Sequence, residues 1–219
     1  MGQYYDWVNV DKREYISPLY FDLGNKLWES CHAWNPLLRA LYELLDSDWK
    51  GDHIVFLGDY SEIPYDTDNP TLKIMLDQYK DSGGKREPFY TYEFQLDYYK
   101  DISGLFRDSE IKVRHEIECM VEENDWEFDC FRVDKNDPFK GLFEREGKIF
   151  RYTINDTKKE FFDIYETETL GSMPHNLLHI LMCYDSGGEP GDWLGDSVRV
   201  SDERPDSKYV DISKKQFDW

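Results

Sequence analysis

His175 and His179 stand four residues apart, a spacing that places two imidazoles on one helix face, as zinc hydrolases require. The glutamate that should follow the first histidine as general base is missing, and no third ligand is placed, so no metal is assigned. Val55-Phe56-Leu57-Gly58-Asp59 ends a strand in Gly-Asp, like the metal-binding turn of calcineurin-type phosphoesterases, but without their upstream Asp-x-His and downstream Gly-Asn-His. Asp-Ser-Gly-Gly occurs at Asp81–Gly84 and Asp185–Gly188; without a positioned base or oxyanion hole, both read as loops. Asp66-Thr67-Asp68-Asn69 and Asp134-Lys135-Asn136-Asp137 resemble calcium loops but lack the sixth-position glycine. Nucleotide-binding glycine patterns and a Gly-x-Ser-x-Gly elbow are also missing, so no catalytic residue and no cofactor is assigned.

Four polar residues recur in matching contexts: Asn9 with Asn155, and Asp52 with Asp196. They are candidates for a cleft between two related halves. The simpler expectation is structural, because Asn before a turn and Asp after Gly both bond local backbone. Trp49 and Trp193 read first as core anchors.

The elements that must position these residues show an internal repeat. Val8-Asn9-Val10-Asp11-Lys12-Arg13-Glu14-Tyr15-Ile16 recurs as Ile154-Asn155-Asp156-Thr157-Lys158-Lys159-Glu160-Phe161-Phe162, at an offset of 146. Trp49-Lys50-Gly51-Asp52 recurs as Trp193-Leu194-Gly195-Asp196, at 144. Each copy carries a proline-led, leucine-rich helix between its blocks, predicted over Pro36–Leu45 and Pro174–Met182. The expected fold is α+β: two duplicated strand-strand-helix-strand units, 1–65 and 148–219, packed together with a mainly helical insert over 66–147. Within the insert, Asp68-Asn69-Pro70 starts a helix with Leu72, Met75, Leu76 and Tyr79 on one face, and a further helix is predicted over 108–123.

Composition narrows the function. The chain has 219 residues and a formal charge of −20, which disfavours direct binding to nucleic acid or anionic lipid. Its 13 Phe, 16 Tyr and 7 Trp argue for a folded core rather than an acidic disordered chain. The charge is spread, with −6 over 1–65, −9 over 66–147 and −5 over 148–219. Its densest stretch, Glu116 to Asp129, holds seven carboxylates and no Lys or Arg. Glu110, Glu116, Glu118, Glu122, Glu123, Asp125, Glu127 and Asp129 are therefore the expected partner-binding face. The opening residues form no secretory signal, no apolar run spans a bilayer, and the four cysteines are scattered. The expectation is a cytoplasmic protein with reduced thiols.

The opening Met1-Gly2-Gln3-Tyr4-Tyr5, the Asn9–Tyr15 stretch, Trp49-x-Gly51-Asp52 and Asn155-Asp156-Thr157-Lys158-Lys159 together resemble an uncharacterised family from Firmicutes and their phages. The resemblance implies a bacterial or phage cytoplasmic protein and carries no activity. On charge, the expected function is an acidic inhibitor binding a basic, nucleic-acid-handling protein, as an anti-CRISPR-like or immunity protein would. The alternative is a small-molecule binder or enzyme using a cleft between the halves. Oligomeric state is left open.

Overall fold

The computed structural model describes residues 3–21, 26–30, 36–86, 88–106, 148–167, 169–170, 173–185 and 189–216. Glu110, Glu116, Glu118, Glu122, Glu123, Asp125, Glu127 and Asp129, the helix expected over 108–123 and the calcium-like loop at 134–137 lie outside the described residues.

The alternating aromatic stretch near the start forms β1 (Tyr5–Asn9), and a polar turn leads into β2 (Glu14–Ile16). Asn9 Oδ1 accepts the Lys12 N–H at 2.9 Å, and Arg13 closes the turn with a left-handed φ of 57°. After a short 3-10 turn at Pro18–Phe21 come α1 (Leu27–Ser30) and α2 (Pro36–Asp46). The predicted stripe of α2 is real: Leu37, Leu38, Leu41, Leu44 and Leu45 are all buried. β3 (Ile54–Gly58) then returns antiparallel to β1, with Asn9 opposite Ile54.

β4 (Glu62–Ile63) precedes α3 (Pro70–Asp81). That helix starts where predicted, because Asn69 Oδ1 accepts the N–H groups of Thr71 and Leu72 at 3.1 and 3.3 Å while Pro70 needs no acceptor. β5 (Phe89–Tyr90) pairs with β4, and α4 (Thr91–Tyr98) follows. The segment expected to be mainly helical also holds β6 (Lys100–Asp101), which runs parallel to β2.

In the second part of the chain, β7 (Tyr152–Asn155) and β8 (Glu160–Asp163) form a hairpin, with Lys159 at φ 58° where Arg13 stands in the first. β9 (Thr169–Leu170), β10 (Met173–Pro174), α5 (Leu178–Leu181), β11 (Cys183–Tyr184), β12 (Val198–Ser201) and β13 (Val210–Asp211) complete it. The helix predicted over Pro174–Met182 is shorter than expected. Met173 and Pro174 pair with β9, and the first turn forms only after Asn176, whose Oδ1 takes the Leu178 N–H at 2.9 Å.

The fold is mixed α+β. The strands form a first sheet ordered β11-β3-β1-β2-β6, a second ordered β12-β7-β8-β13, and two ribbons. In both large sheets the hairpin sits centrally, an antiparallel return strand flanks one side, and a short parallel strand flanks the other. The helices cross between sheets. α2, which leaves the first sheet after β2, packs against β12 of the second, with the Tyr42 hydroxyl 3.0 Å from Thr153 Oγ1. α5, which lies between strands of the second sheet, delivers β11 onto β3 of the first and sets His179 edge-on against Phe56 and Trp7. Among the described residues no helix is long and apolar enough to cross a membrane.

Gly51 and Gly195 hold φ of 82° and 97°, a region costly for any Cβ. At Gly195 an added Cβ would also lie 2.9 Å from Pro70 Cδ, whereas at Gly51 it would meet nothing. Gly51→Ala should therefore cost about 1 kcal/mol and Gly195→Ala about 2 kcal/mol in urea unfolding. Equal costs would show that the start of α3 does not depend on its fit against the Gly195 turn.

Candidate functional site

The recurring polar residues close two loops, one in each sheet. Asn9 Nδ2 donates to Asp52 Oδ2 at 2.8 Å, and Asn155 Nδ2 donates to Asp196 Oδ2 at 2.8 Å. Lys12 and Lys158 add ion pairs to the same carboxylates at 3.4 and 3.8 Å. The indoles of Trp49 and Trp193 donate to Glu14 and Glu160 at 3.0 and 2.7 Å. Both asparagines bond local backbone as expected, but the side-chain carboxylates of Asp52 and Asp196 reach across to the hairpin instead. Each pair is used within its own sheet.

Of the other candidate chemistries, the histidine pair is packed in the core, and residues 186–188 of the second Asp-Ser-Gly-Gly lie outside the described residues. The buried His179 ring packs on Trp7 and Phe56, and His175 is buried as well. Among the described residues, no group of three His, Cys, Asp or Glu side chains could hold a metal ion. Cys183 is buried, which pushes its thiol up to about 12, with Asp185 adding to the rise, so it stays protonated at neutral pH.

Not legible in the sequence is a cavity of about 410 Å³ at the N-terminal end of β1, lined by Tyr4, Tyr5, Asp6, Ser17, Leu19, Leu57, Asp59 and Tyr92. β1 brings Asp6, the residue after β2 brings Ser17, the turn after β3 brings Asp59, and the first turn of α4 brings Tyr92. Gln95, one turn further along α4, donates to Asp6 Oδ2 at 2.7 Å. Asp59 accepts the Tyr4 N–H at 3.1 Å.

None of the described lining residues is basic. Burial pushes the Asp6 carboxyl up to about 6; hydrogen bonds from Ser17 and Gln95 oppose the rise, and the neighbouring Asp101 and Asp59 carboxylates reinforce it. The Tyr92 hydroxyl is raised by burial and then by Asp6 and Asp59. Of the lining residues, Tyr4, Leu19 and Tyr92 are exposed.

The second sheet treats the corresponding place differently. With Asn9 aligned on Asn155 and Ile54 on Val198, the register puts Arg151 at the position of Tyr5, Tyr152 at Asp6 and Asp163 at Ser17. Arg151 donates from Nε and Nη2 to Asp163 at 3.0 and 2.8 Å. Its guanidinium carbon lies 5.3 Å over Tyr152 and 5.1 Å over Tyr165. Nearby, Arg204 sits 5.2 Å over Phe161 and pairs with Asp211 at 2.9 Å. In sequence Tyr60 aligns with Arg204 at an offset of 144, and the strand register matches Asp101 with Asp211.

A sequence signal did exist for part of this. Tyr99-Lys100-Asp101-Ile102-Ser103 matches Tyr209-Val210-Asp211-Ile212-Ser213, but at an offset of 110 rather than 144, because β4, α3, β5 and α4 intervene only in the first case. Both segments use the same bonds: Ile102 and Ile212 donate to Tyr15 and Phe161 carbonyls, and the Ser103 and Ser213 hydroxyls accept the N–H groups of Ser17 and Asp163. No protein-family model, curated protein or solved structure matches the chain.

Because the folded chain holds the Asp6 proton more tightly than the unfolded chain, with its ordinary value near 3.8, the stability this proton confers is present at low pH and lost as pH rises through about 6. Asp6→Asn should therefore be about 1–2 kcal/mol more stable than the parent at pH 7.5, with the gap closing towards pH 4. Urea titrations across that range test this; a gap independent of pH would show that Asp6 ionisation carries no such cost.

Proposed function

We propose that the chain is an acidic protein-binding inhibitor of bacterial or phage origin that engages a basic, nucleic-acid-handling partner by surface complementarity, in the manner of an anti-defence or immunity protein. The observation that carries this reading is the cavity at β1, lined by Asp6 and Asp59 together with exposed Tyr4, Leu19 and Tyr92. Tyrosine-rich, well-packed patches supply much of the energy in protein interfaces, and complementary charge speeds encounter and rejects wrong partners. The formal charge of −20 extends the attraction over the whole surface, with Glu110, Glu116, Glu118, Glu122, Glu123, Asp125, Glu127 and Asp129 as a second proposed contact face.

The architecture we propose for this protein is a duplicated unit. Matching hairpins, matching left-handed residues at Arg13 and Lys159, paired Asn–Asp and Trp–Glu bonds, and the Tyr-x-Asp-Ile-Ser strands support a common origin for the two sheets. On that reading the first unit keeps an open acidic cavity while the second has closed its own with arginines.

A second reading, a small-molecule binder, is favoured by the cavity's size alone, which falls within the range of ligand sites. The two separate experimentally. Immobilised full-length chain should capture a partner of basic pI whose purified form rebinds, with affinity falling at least about tenfold between 0.1 and 0.5 M NaCl. The double variant Asp6→Lys, Asp59→Lys should abolish rebinding if the cavity is the contact, and Glu116→Lys, Glu118→Lys, Glu122→Lys, Glu123→Lys should weaken it if the acidic stretch contributes. A neutral or acidic partner, or binding indifferent to both sets of reversals, would overturn the protein-binding reading. A metabolite that raises the melting temperature and competes at the cavity would favour the second.

A further inference from the structure

We infer that the cavity at the start of β1 is a seat for one guanidinium group, supplied by an arginine side chain of the partner. This rests on the protein-binding reading and names the chemistry of its central contact. The second sheet shows what such a place accepts. There a guanidinium lies against the Tyr152 and Tyr165 rings and forms a two-point bond with the Asp163 carboxylate. The planar cation fits this setting because it stacks on aromatic faces while its fork of N–H donors meets a carboxylate.

Among its described residues the first sheet has no such cation, and Asp6 and Leu19 stand where Tyr152 and Tyr165 do, so its rings come from Tyr4 and Tyr92 instead. Tyr5 occupies the register position of Arg151, and the carboxylate has moved from the end of the second strand to Asp6 on the neighbouring strand, where Ser17 hydrogen-bonds it. Asp59 supplies a second carboxylate, and Tyr4 and Tyr92 line the cavity. Among the described residues, Asp6, Asp59 and Asp101 form no ion pair with any Lys or Arg, whereas Asp163 and Asp211 each do. Gln95 already donates to one Asp6 oxygen at 2.7 Å, which holds the carboxylate while leaving it charged for an incoming donor. The volume of about 410 Å³ is ample for the end of one arginine side chain.

The groups facing Asp6 are Tyr15 on β2, Ser17 after it, Asp59 after β3, Tyr92 and Gln95 on α4, and Asp101 on β6; Asp59 and Asp101 are acidic and none of the six is cationic. A bound guanidinium favours the ionised form of Asp6, so binding strengthens as pH rises through about 6.

The test titrates blocked arginine (N-acetyl-arginine amide) into the full-length chain, followed by the NMR signals of the Tyr4, Tyr92 and Gln95 backbone and the Gln95 side-chain amide. Saturable shifts at these residues are expected, at least about fivefold weaker with blocked lysine and missing with blocked citrulline, the uncharged isostere. Asp6→Asn and Asp59→Asn, each shown folded by circular dichroism, should each weaken binding about tenfold, and Asp6→Asn should flatten its pH dependence. Citrulline binding as tightly as arginine, lysine equal to arginine, or indifference to both substitutions would overturn the assignment. If blocked arginine leaves these signals unmoved at 50 mM while a basic partner still binds through charge, the guanidinium seat is wrong and the protein-binding reading stands. Arginine binding with no partner sensitive to charge reversal gives the opposite result.

Discussion

A buried tryptophan N–H is costly to leave without an acceptor, and at Trp49 and Trp193 the acceptor found ties each sheet together. Trp49 and Trp193 are fully buried, and each donates to the glutamate that opens the second strand of its hairpin. The bond draws the Trp-x-Gly-Asp turn over the end of the hairpin. The following aspartate then meets the hairpin asparagine, and the return strand leaves in antiparallel register beside the first. Glycine's left-handed backbone makes the turn tight enough for both contacts, at Gly51 and again at Gly195.

Neither sheet covers itself. The helix from between β2 and β3 is anchored on the second sheet through Tyr42, which meets Thr153 and accepts a hydrogen bond from Asn176. The helix from between β10 and β11 places His179 on the first sheet. α3 spans the two as well: Asn69 at its start donates to the Leu194 carbonyl at 2.8 Å, and Gln78 near its end donates to the Val10 carbonyl at 2.8 Å. One hydrophobic cluster accordingly contains Trp7, Leu41, Phe56, Leu178, Trp193 and Val200. A core shared in this way makes the two sheets mutually dependent, since separating them would expose both helices' apolar faces.

Against this common frame the electrostatics of the two sheets diverge. The second binds its carboxylates with its own guanidinium groups, and the hydroxyl of Tyr209 further holds Asp156, whose carboxyl is lowered despite burial by that bond and by Arg199. The first places Asp6, Asp59 and Asp101 near one another and answers them with Ser17 and Gln95, which are neutral. Clustered carboxylates in a partly dry site repel and resist ionisation. The first sheet thus carries an electrostatic cost that the second avoids.

Local chemistry made much of the frame legible in the amino-acid order. Asn69-Pro70 starts a helix, Asn9 and Asn155 precede turns, the leucine stripe of α2 has helical spacing, and the Trp-x-Gly-Asp blocks stand out as repeats, because each depends on residues within a few positions of one another. The short second helix was less legible, since pairing of Met173 and Pro174 with β9 overrode the proline signal. β6 and β13 are two residues long, too short for any periodicity, and their places were settled by hydrogen bonds to β2 and β8. The cavity was decided wholly by tertiary structure. Asp6, Asp59 and Tyr92 are ordinary residues in sequence and become one site only where β1, the end of β3 and α4 converge. Amino-acid order set the hairpin turns and the starts of α2 and α3; the packing of distant strands and helices decided the short strands and which carboxylates lie together without a cation, because such neighbours are set by distance in space and not along the chain.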